Sequence, residues 1–210
     1  MFDPKKILIL APHPDDGELG LGGSIAKFCA EKKEVHYAGF SLCRKSLSDD
    51  FDDHTLENEC KHAVRRLGMD TGKLMFYNFE VREFPKYRQE ILEELVSLNK
   101  YIKPDLVFVP AASDDHQDHE VIHTEGLRAF KKSSVMGYEM PWNNRSFNTQ
   151  LFIQLTEAQV QHKIDALAEY RSQTHRAYME ADFIRSLAKV RGVQSYGEYA
   201  EAFEVYRWIA

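Results

Sequence analysis

Two short polar clusters hold the residue types from which a metal-assisted reaction centre can be built. The first is Ala11-Pro12-His13-Pro14-Asp15-Asp16, and the second is Ser113-Asp114-Asp115-His116-Gln117-Asp118-His119. Neutral imidazole and carboxylate together form a mixed nitrogen and oxygen donor set suited to Zn²⁺ or Fe²⁺. Two histidines plus one carboxylate leave positions open for water and substrate, as a catalytic site requires. An aspartate beside the metal but not bound to it can take a proton from metal-bound water, whose pKa falls to about 7. A further histidine can donate to a developing oxyanion or protonate a leaving amine. Each cluster also has an ordinary reading, because Pro-Asp-Asp is common turn chemistry and aspartate is a favoured helix N-cap. Their joint placement separates the two readings.

For the clusters to act together, the elements before them must end side by side. Lys5 to Ala11 is a short branched apolar run ended by Pro12, which predicts a buried strand. Val35 to Ser41 and Leu74 to Phe79 read as further strands, and Leu106 to Val109 as a fully buried one. Between them lie helical stretches: Ser24 to Lys32, Thr55 to Leu67 stopped by Gly68, Tyr87 to Tyr101 before Pro104, and His119 to Lys131. Alternating strand and helix predicts an α/β fold: a Rossmann-like, mainly parallel sheet with helices on both faces. Ligands bind such sheets beyond the carboxyl ends of the strands, where the strand order reverses. With right-handed crossovers, the first and fourth strands become neighbours there, and both polar clusters meet over one crevice. After residue 134 the texture changes. Asn148 to Leu155 reads as a strand, Thr156 and Gln159 as a capping-box pair before a Val160, Ile164, Leu167 stripe, and Phe203 to Ile209 as an edge strand. No repeat, linker or low-complexity stretch interrupts the 210 residues, so one domain is expected.

Bulk properties exclude several classes. A net charge of −6 argues against a general nucleic-acid or anionic-membrane binder. No run approaches the roughly 18 apolar residues of a membrane span, and Met1-Phe2-Asp3-Pro4 lacks the basic start of a signal peptide. Cys29, Cys43 and Cys60 are odd in number and lack paired zinc spacing, so reduced, buried thiols in a cytoplasmic protein are expected.

The stretch His13-Pro14-Asp15-Asp16-Gly17-Glu18-Leu19-Gly20-Leu21-Gly22-Gly23, together with His116-Gln117-Asp118-His119, resembles the PIG-L/LmbE family of de-N-acetylases. Tyr170-Arg171-Ser172-Gln173 and Ala200-Glu201-Ala202-Phe203 resemble its C-terminal segments, so the resemblance runs through most of the chain as a single deacetylase domain. It implies a metal, Zn²⁺ or another divalent ion such as Fe²⁺, on His13, Asp16 and His119. It also implies Asp15 as general base, His116 as electrostatic and acid partner, and Asp118 as a carboxylate orienting a ligand imidazole. The implied reaction is hydrolysis of the N-acetyl group of an amino sugar resembling N-acetylglucosamine, which releases acetate.

Three positions depart from the family pattern. Gln117 replaces a common proline. Leu56 stands three residues before Glu59, where many members carry an arginine, which makes Arg44 a candidate substitute. Tyr170 replaces a common histidine and receives no catalytic role. The Gly20-Leu21-Gly22-Gly23 spacing is not that of a dinucleotide fingerprint, so the glycines are expected to turn the chain tightly into a helix. Trp142-Asn143-Asn144-Arg145 has the composition of a sugar-contacting loop as well as that of a plain surface connection. The rival function is a non-catalytic nucleotide or sugar-nucleotide binding module in the same crevice. The expected partner is a small-molecule amino sugar, with no nucleic acid and no membrane insertion, and self-association into a homo-oligomer stays open.

Overall fold

The chain forms a seven-stranded sheet in the order β3-β2-β1-β4-β5-β7-β6 in the computed structural model, which describes residues 3–48 and 50–209. The strands are β1 (Lys6–Ala11), β2 (Glu34–Gly39), β3 (Leu74–Phe76), β4 (Leu106–Pro110), β5 (Ser134–Tyr138), β6 (Leu151–Leu155) and β7 (Tyr199–Arg207). The helices are α1 (Asp16–Ala30), α2 (Thr55–Arg66), α3 (Arg88–Ile102), α4 (Gln117–Ala129), α5 (Glu157–Leu167) and α6 (Ala181–Gln194). Strands β1 to β5 pair in parallel, whereas β7 runs antiparallel between β5 and β6. Register places Ile7 beside Leu106 and Ile9 beside Phe108, so the first and fourth strands are neighbours and the crevice expected between their ends exists.

Both faces of the sheet are covered, which is why β1 and β4 are continuous apolar runs rather than alternating ones. Ile7, Ile9, Leu106 and Phe108 pack into the core under α1, α2 and α5. Leu8, Leu10, Val107 and Val109 face the opposite core with α3 and α4. Successive residues of a strand point to opposite faces, so one sequence run serves both cores.

The glycine cluster acts differently from expectation. It does not make a turn: helix α1 begins at Asp16 and carries Gly17, Gly20, Gly22 and Gly23 within it. A Cβ on Gly17 would lie 2.3 Å from the Tyr37 ring, and one on Gly20 would lie 2.4 Å from Tyr138. Close approach of helix to sheet requires these glycines, and it begins the helix within the metal-type motif itself.

Helix α1 kinks at Leu21 (φ −150°), which frees backbone N–H groups in a buried place. Glu201 on β7 takes them: Gly23 donates to Oε1 at 3.0 Å and Ser24 to Oε2 at 2.7 Å. Lys163 on α5 donates to the same carboxylate at 2.7 Å and to the Leu19 carbonyl at 2.7 Å. Replacing Glu201 by alanine leaves a buried lysine unpaired and two amides unsatisfied. The expected loss is about 3–5 kcal/mol of unfolding free energy, read from urea denaturation.

Other expectations are refined. The tail strand is interior rather than an edge, and β6 forms that edge of the sheet. Buried Glu201 and Glu204 interrupt the apolar signal of β7 and make it read as half-exposed. Strand β3 stops at Phe76, and β6 starts only at Leu151. Strand β5 and helix α6 gave no clear sequence signal; the buried stripe of α6 is only Ile184, Ala188 and Gly192. The Thr156–Gln159 capping box is present, and Gly68 adopts φ +79° just past α2. The three cysteines are free, with Cys43 and Cys60 buried and Cys29 partly so. Among the described residues, no helix is long and apolar enough to cross a membrane.

Candidate active site

The loop after β1 places His13, Asp15 and Asp16 at the N-terminus of α1, and the loop after β4 places His116 and His119 at the N-terminus of α4. All five line one cavity of about 540 Å³, a volume typical of small-molecule sites. The two clusters, about a hundred residues apart in sequence, meet because β1 and β4 are adjacent.

Local hydrogen bonds set the geometry. The His13 amide donates to Asp16 Oδ2 at 2.8 Å, which folds the Asp16 carboxylate back over the loop. His13 Nδ1 lies 3.1 Å from Asp16 Oδ2, His119 Nε2 lies 3.2 Å from the same oxygen, and the two ring nitrogens are 3.2 Å apart. The second nitrogen of each ring meets a carboxylate: His13 Nε2 with Asp118 Oδ2 at 3.1 Å, and His119 Nδ1 with Asp114 Oδ2 at 2.7 Å. Asp118 is itself pinned by the Arg82 amide (2.6 Å) and the Phe84 amide (3.2 Å). Asp114 also accepts the His116 amide at 2.9 Å.

This donor set fits a cation. Four donors about 2.0–2.1 Å from a tetrahedral zinc lie about 3.3 Å from one another. The His13, Asp16, His119 triangle is close to one face of such a tetrahedron. A broader grouping of His13, His116 and His119, with ring nitrogens within 4.8 Å, also has the composition to hold a metal ion. The tighter triangle is the better match, because its separations of 3.1–3.2 Å are close to a tetrahedral edge, whereas the three-histidine grouping spreads to 4.8 Å.

Electrostatics point the same way. Burial disfavours charge on His13 and His119, yet Asp16 with the Asp118 hydrogen bond raises His13 to about 9, and Asp16 with Asp114 raises His119 to about 10. Without a metal, the carboxylates draw protons onto the histidines, so the site is built around a positive charge.

Asp15 and His116 behave differently. Burial, then the neighbouring Asp16, pushes the Asp15 carboxyl up to about 6, while His13 and Arg176 hold it down. Burial, then the charges of His13 and His119, pushes His116 down to about 4. A neutral His116 whose Nδ1 accepts a hydrogen bond must carry its proton on Nε2. It is therefore a fixed hydrogen-bond donor.

Beneath the first loop lies a polar knot that the motif did not reveal. The Tyr37 and Tyr170 hydroxyls each lie 2.7 Å from the Pro14 carbonyl, and 2.7 and 2.8 Å from the Glu18 carboxyl oxygens. Burial pushes that carboxyl up to about 8. Tyr170 thus supports the Pro14 peptide.

Other sequence-selected residues fall into place or out of it. Trp142 and Asn143 line the cavity, and Trp142 stacks on Tyr178 with ring centroids 4.0 Å apart. Arg145 pairs with Asp115 at 2.6 Å and lies outside the cavity wall, as does Asn144, whose Oδ1 accepts the Met140 amide. Arg44 lines a separate hollow with Asn78 and Phe79 and is not part of this cavity's wall. Leu56 itself is part of the cavity wall. Sequence reasoning missed Asp114, Arg82 and Arg176. Asp114 was visible, five residues before His119 in an Asp-His-rich run. The arginines had no signal, because they arrive on irregular segments far from either motif.

The family model described as PIG-L, GlcNAc-PI de-N-acetylase, matches residues 8–130. The diacetylchitobiose deacetylase of Thermococcus kodakarensis is 26% identical, over 95% of this chain and 82% of its own length. The N,N'-diacetylchitobiose deacetylase from Pyrococcus horikoshii superposes with a TM-score of 0.80 at 22% identity, covering 97% of this chain and 84% of that one. GalB of Pseudomonas putida, a 4-carboxy-2-hydroxymuconate hydratase, superposes with a TM-score of 0.79 at 18% identity, over 98% of both chains. The hydratase shows that the fold by itself does not specify the reaction. With the family match spanning both metal-type loops and the strands that carry them, the chain belongs to the PIG-L family of de-N-acetylases.

Proposed function

We propose that this protein is a metal-dependent de-N-acetylase that hydrolyses the N-acetyl group of an amino sugar resembling N-acetylglucosamine and releases acetate. The observation that carries this reading is the triangle of His13, Asp16 and His119, with each histidine backed by its own carboxylate. These three residues would hold the metal, Zn²⁺ by donor set, with Fe²⁺ the nearest alternative. When bound, the ion polarises the amide carbonyl and acidifies water. Asp15 accepts the proton of the attacking water and hands it to the amine nitrogen as the C–N bond breaks, a task matched to a carboxyl raised by burial. The Nε2–H of His116 donates to the oxygen that becomes negative at the tetrahedral stage. Asp118 and Asp114 keep the two ligand rings in one tautomer and one orientation.

The deciding experiment measures acetate release from a panel of N-acetylhexosamine compounds with metal-loaded protein. No release from any of them, by a protein that binds about one metal ion per chain, overturns the reading. Absence of both metal and turnover supports the rival nucleotide or sugar-nucleotide binding module. The carboxylate behind His119 offers an independent check. Asp114→Asn should weaken metal affinity by roughly 10–100-fold, as loss of such outer partners does, measured by competition with a chromogenic chelator.

A further inference from the structure

We propose that the cavity selects amino sugars that carry an anionic substituent, a phosphate or a carboxylate, and that Arg82 and Arg176 form its anion-binding wall. This inference rests on the deacetylase reading and narrows its substrate class.

The chain is acidic overall, with a net charge of −6, yet the cavity that holds Asp15 and Asp16 is also lined by Lys45, Arg82 and Arg176. Lys45 has a counter-ion in Glu80 at 3.0 Å, but the two arginines do not. Among the described residues, no carboxylate forms an ion pair with either guanidinium. Arg82 donates to the Lys45 carbonyl at 3.3 Å and to Ser46 Oγ at 3.1 Å, both neutral acceptors. Arg176 donates to the Tyr178 hydroxyl, and its buried Nε has no hydrogen-bond partner. Arg66, Arg88, Arg128 and Arg191 are each paired with a carboxylate, and the other arginines that form no ion pair among the described residues, Arg44, Arg65, Arg171 and Arg207, do not line this cavity. Guanidinium groups with unused donors in a concave wall are suited to bidentate binding of phosphate or carboxylate.

The backbone supports the assignment. Arg82 sits at φ +68°, a conformation that non-glycine residues rarely adopt and that costs energy. Its amide is thereby turned onto Asp118, the carboxylate behind His13, while its side chain reaches the cavity. The strained residue ties the anion-binding wall to the catalytic loop. Arg176 lies close enough to Asp15 for each charge to affect the other. The Trp142–Tyr178 stack completes the wall beside it, an apolar surface against which a sugar face can lie.

The test separates recognition from turnover. Calorimetric binding to zinc-loaded protein is measured for glucosamine, glucosamine 1-phosphate, glucosamine 6-phosphate, UDP-glucosamine and muramic acid. Acetate release is measured from the N-acetylated counterparts. At least one anionic compound should bind about tenfold or more tightly than glucosamine and show the matching gain in kcat/KM. The preferred arm identifies phosphomonoester, diphosphate or carboxylate as the group recognised. Arg176→Met and Arg82→Gln should each lower the anionic-to-neutral ratio about tenfold, and raised salt should lower it too. Equal binding of glucosamine and all four anions overturns the proposal, as does a ratio that neither substitution moves. If no compound releases acetate but the binding preference and its loss in the variants persist, the anion site stands and the deacetylase reading fails.

Discussion

Replacing Asp15 by asparagine lowers kcat by roughly 10²–10⁴-fold, the usual contribution of a positioned general base, while the bound metal stays. The substitution keeps the size and polarity of the residue at the start of α1, and Asp15 is outside the His13, Asp16, His119 triangle. What it removes is a proton acceptor. The acid limb of the pH–rate profile carries a second signature. Asp15 must be ionised to act, so activity falls as pH drops through its pKa, which burial and Asp16 push up to about 6. A bound divalent cation favours the ionised form and draws that limb lower, so it should appear at or below about pH 6 in the native protein. The asparagine variant should lose the limb along with the rate. Near-normal turnover at saturating substrate would remove Asp15 from the mechanism.

His119→Ala should abolish most metal binding and most activity together. His119 supplies the one donor of the triangle that comes from the second loop, and its other nitrogen is committed to Asp114 at 2.7 Å. Without it, His13 and Asp16 remain a two-donor fragment of a single loop. Loss of the metal removes several kcal/mol of transition-state stabilisation, so kcat/KM should fall on the order of 10³-fold or more. Elemental analysis after dialysis and steady-state kinetics on the same preparation check both halves. A variant that keeps full metal occupancy and full turnover would show that the triangle is not the metal site. The contrast with Asp15→Asn is the point of the pair: one variant loses metal and rate, the other loses rate alone.

The sequence by itself determined the fold and which two polar loops that fold brings together. Short range patterns were sufficient where the physics is local. A branched apolar run ended by proline makes a strand, and Thr156 with Gln159 makes a helix cap, whatever lies elsewhere in the chain. The two polar clusters were recognisable as a candidate site because they follow two such strands directly and parallel topology brings those ends together, while the roles expected of His13, Asp15, Asp16, His116 and His119 came from the family resemblance.

Tertiary structure alone decided the rest, because long-range contacts settle it. Gly17 and Gly20 of α1 are explained by the rings of Tyr37 and Tyr138, which belong to β2 and β5. Strand β7 is interior because Glu201 finds Lys163 and the kinked end of α1, a pairing that no periodicity encodes. The cavity wall follows the same rule. Arg145 was suggested by its neighbours in sequence, yet it turns to Asp115, while Arg82 and Arg176 come in on irregular segments with no motif of their own. The candidate catalytic groups are held just beyond strand ends, whose positions are set by backbone hydrogen bonding. The arginines proposed for recognition sit on connecting segments, whose course is set only when the whole chain has packed.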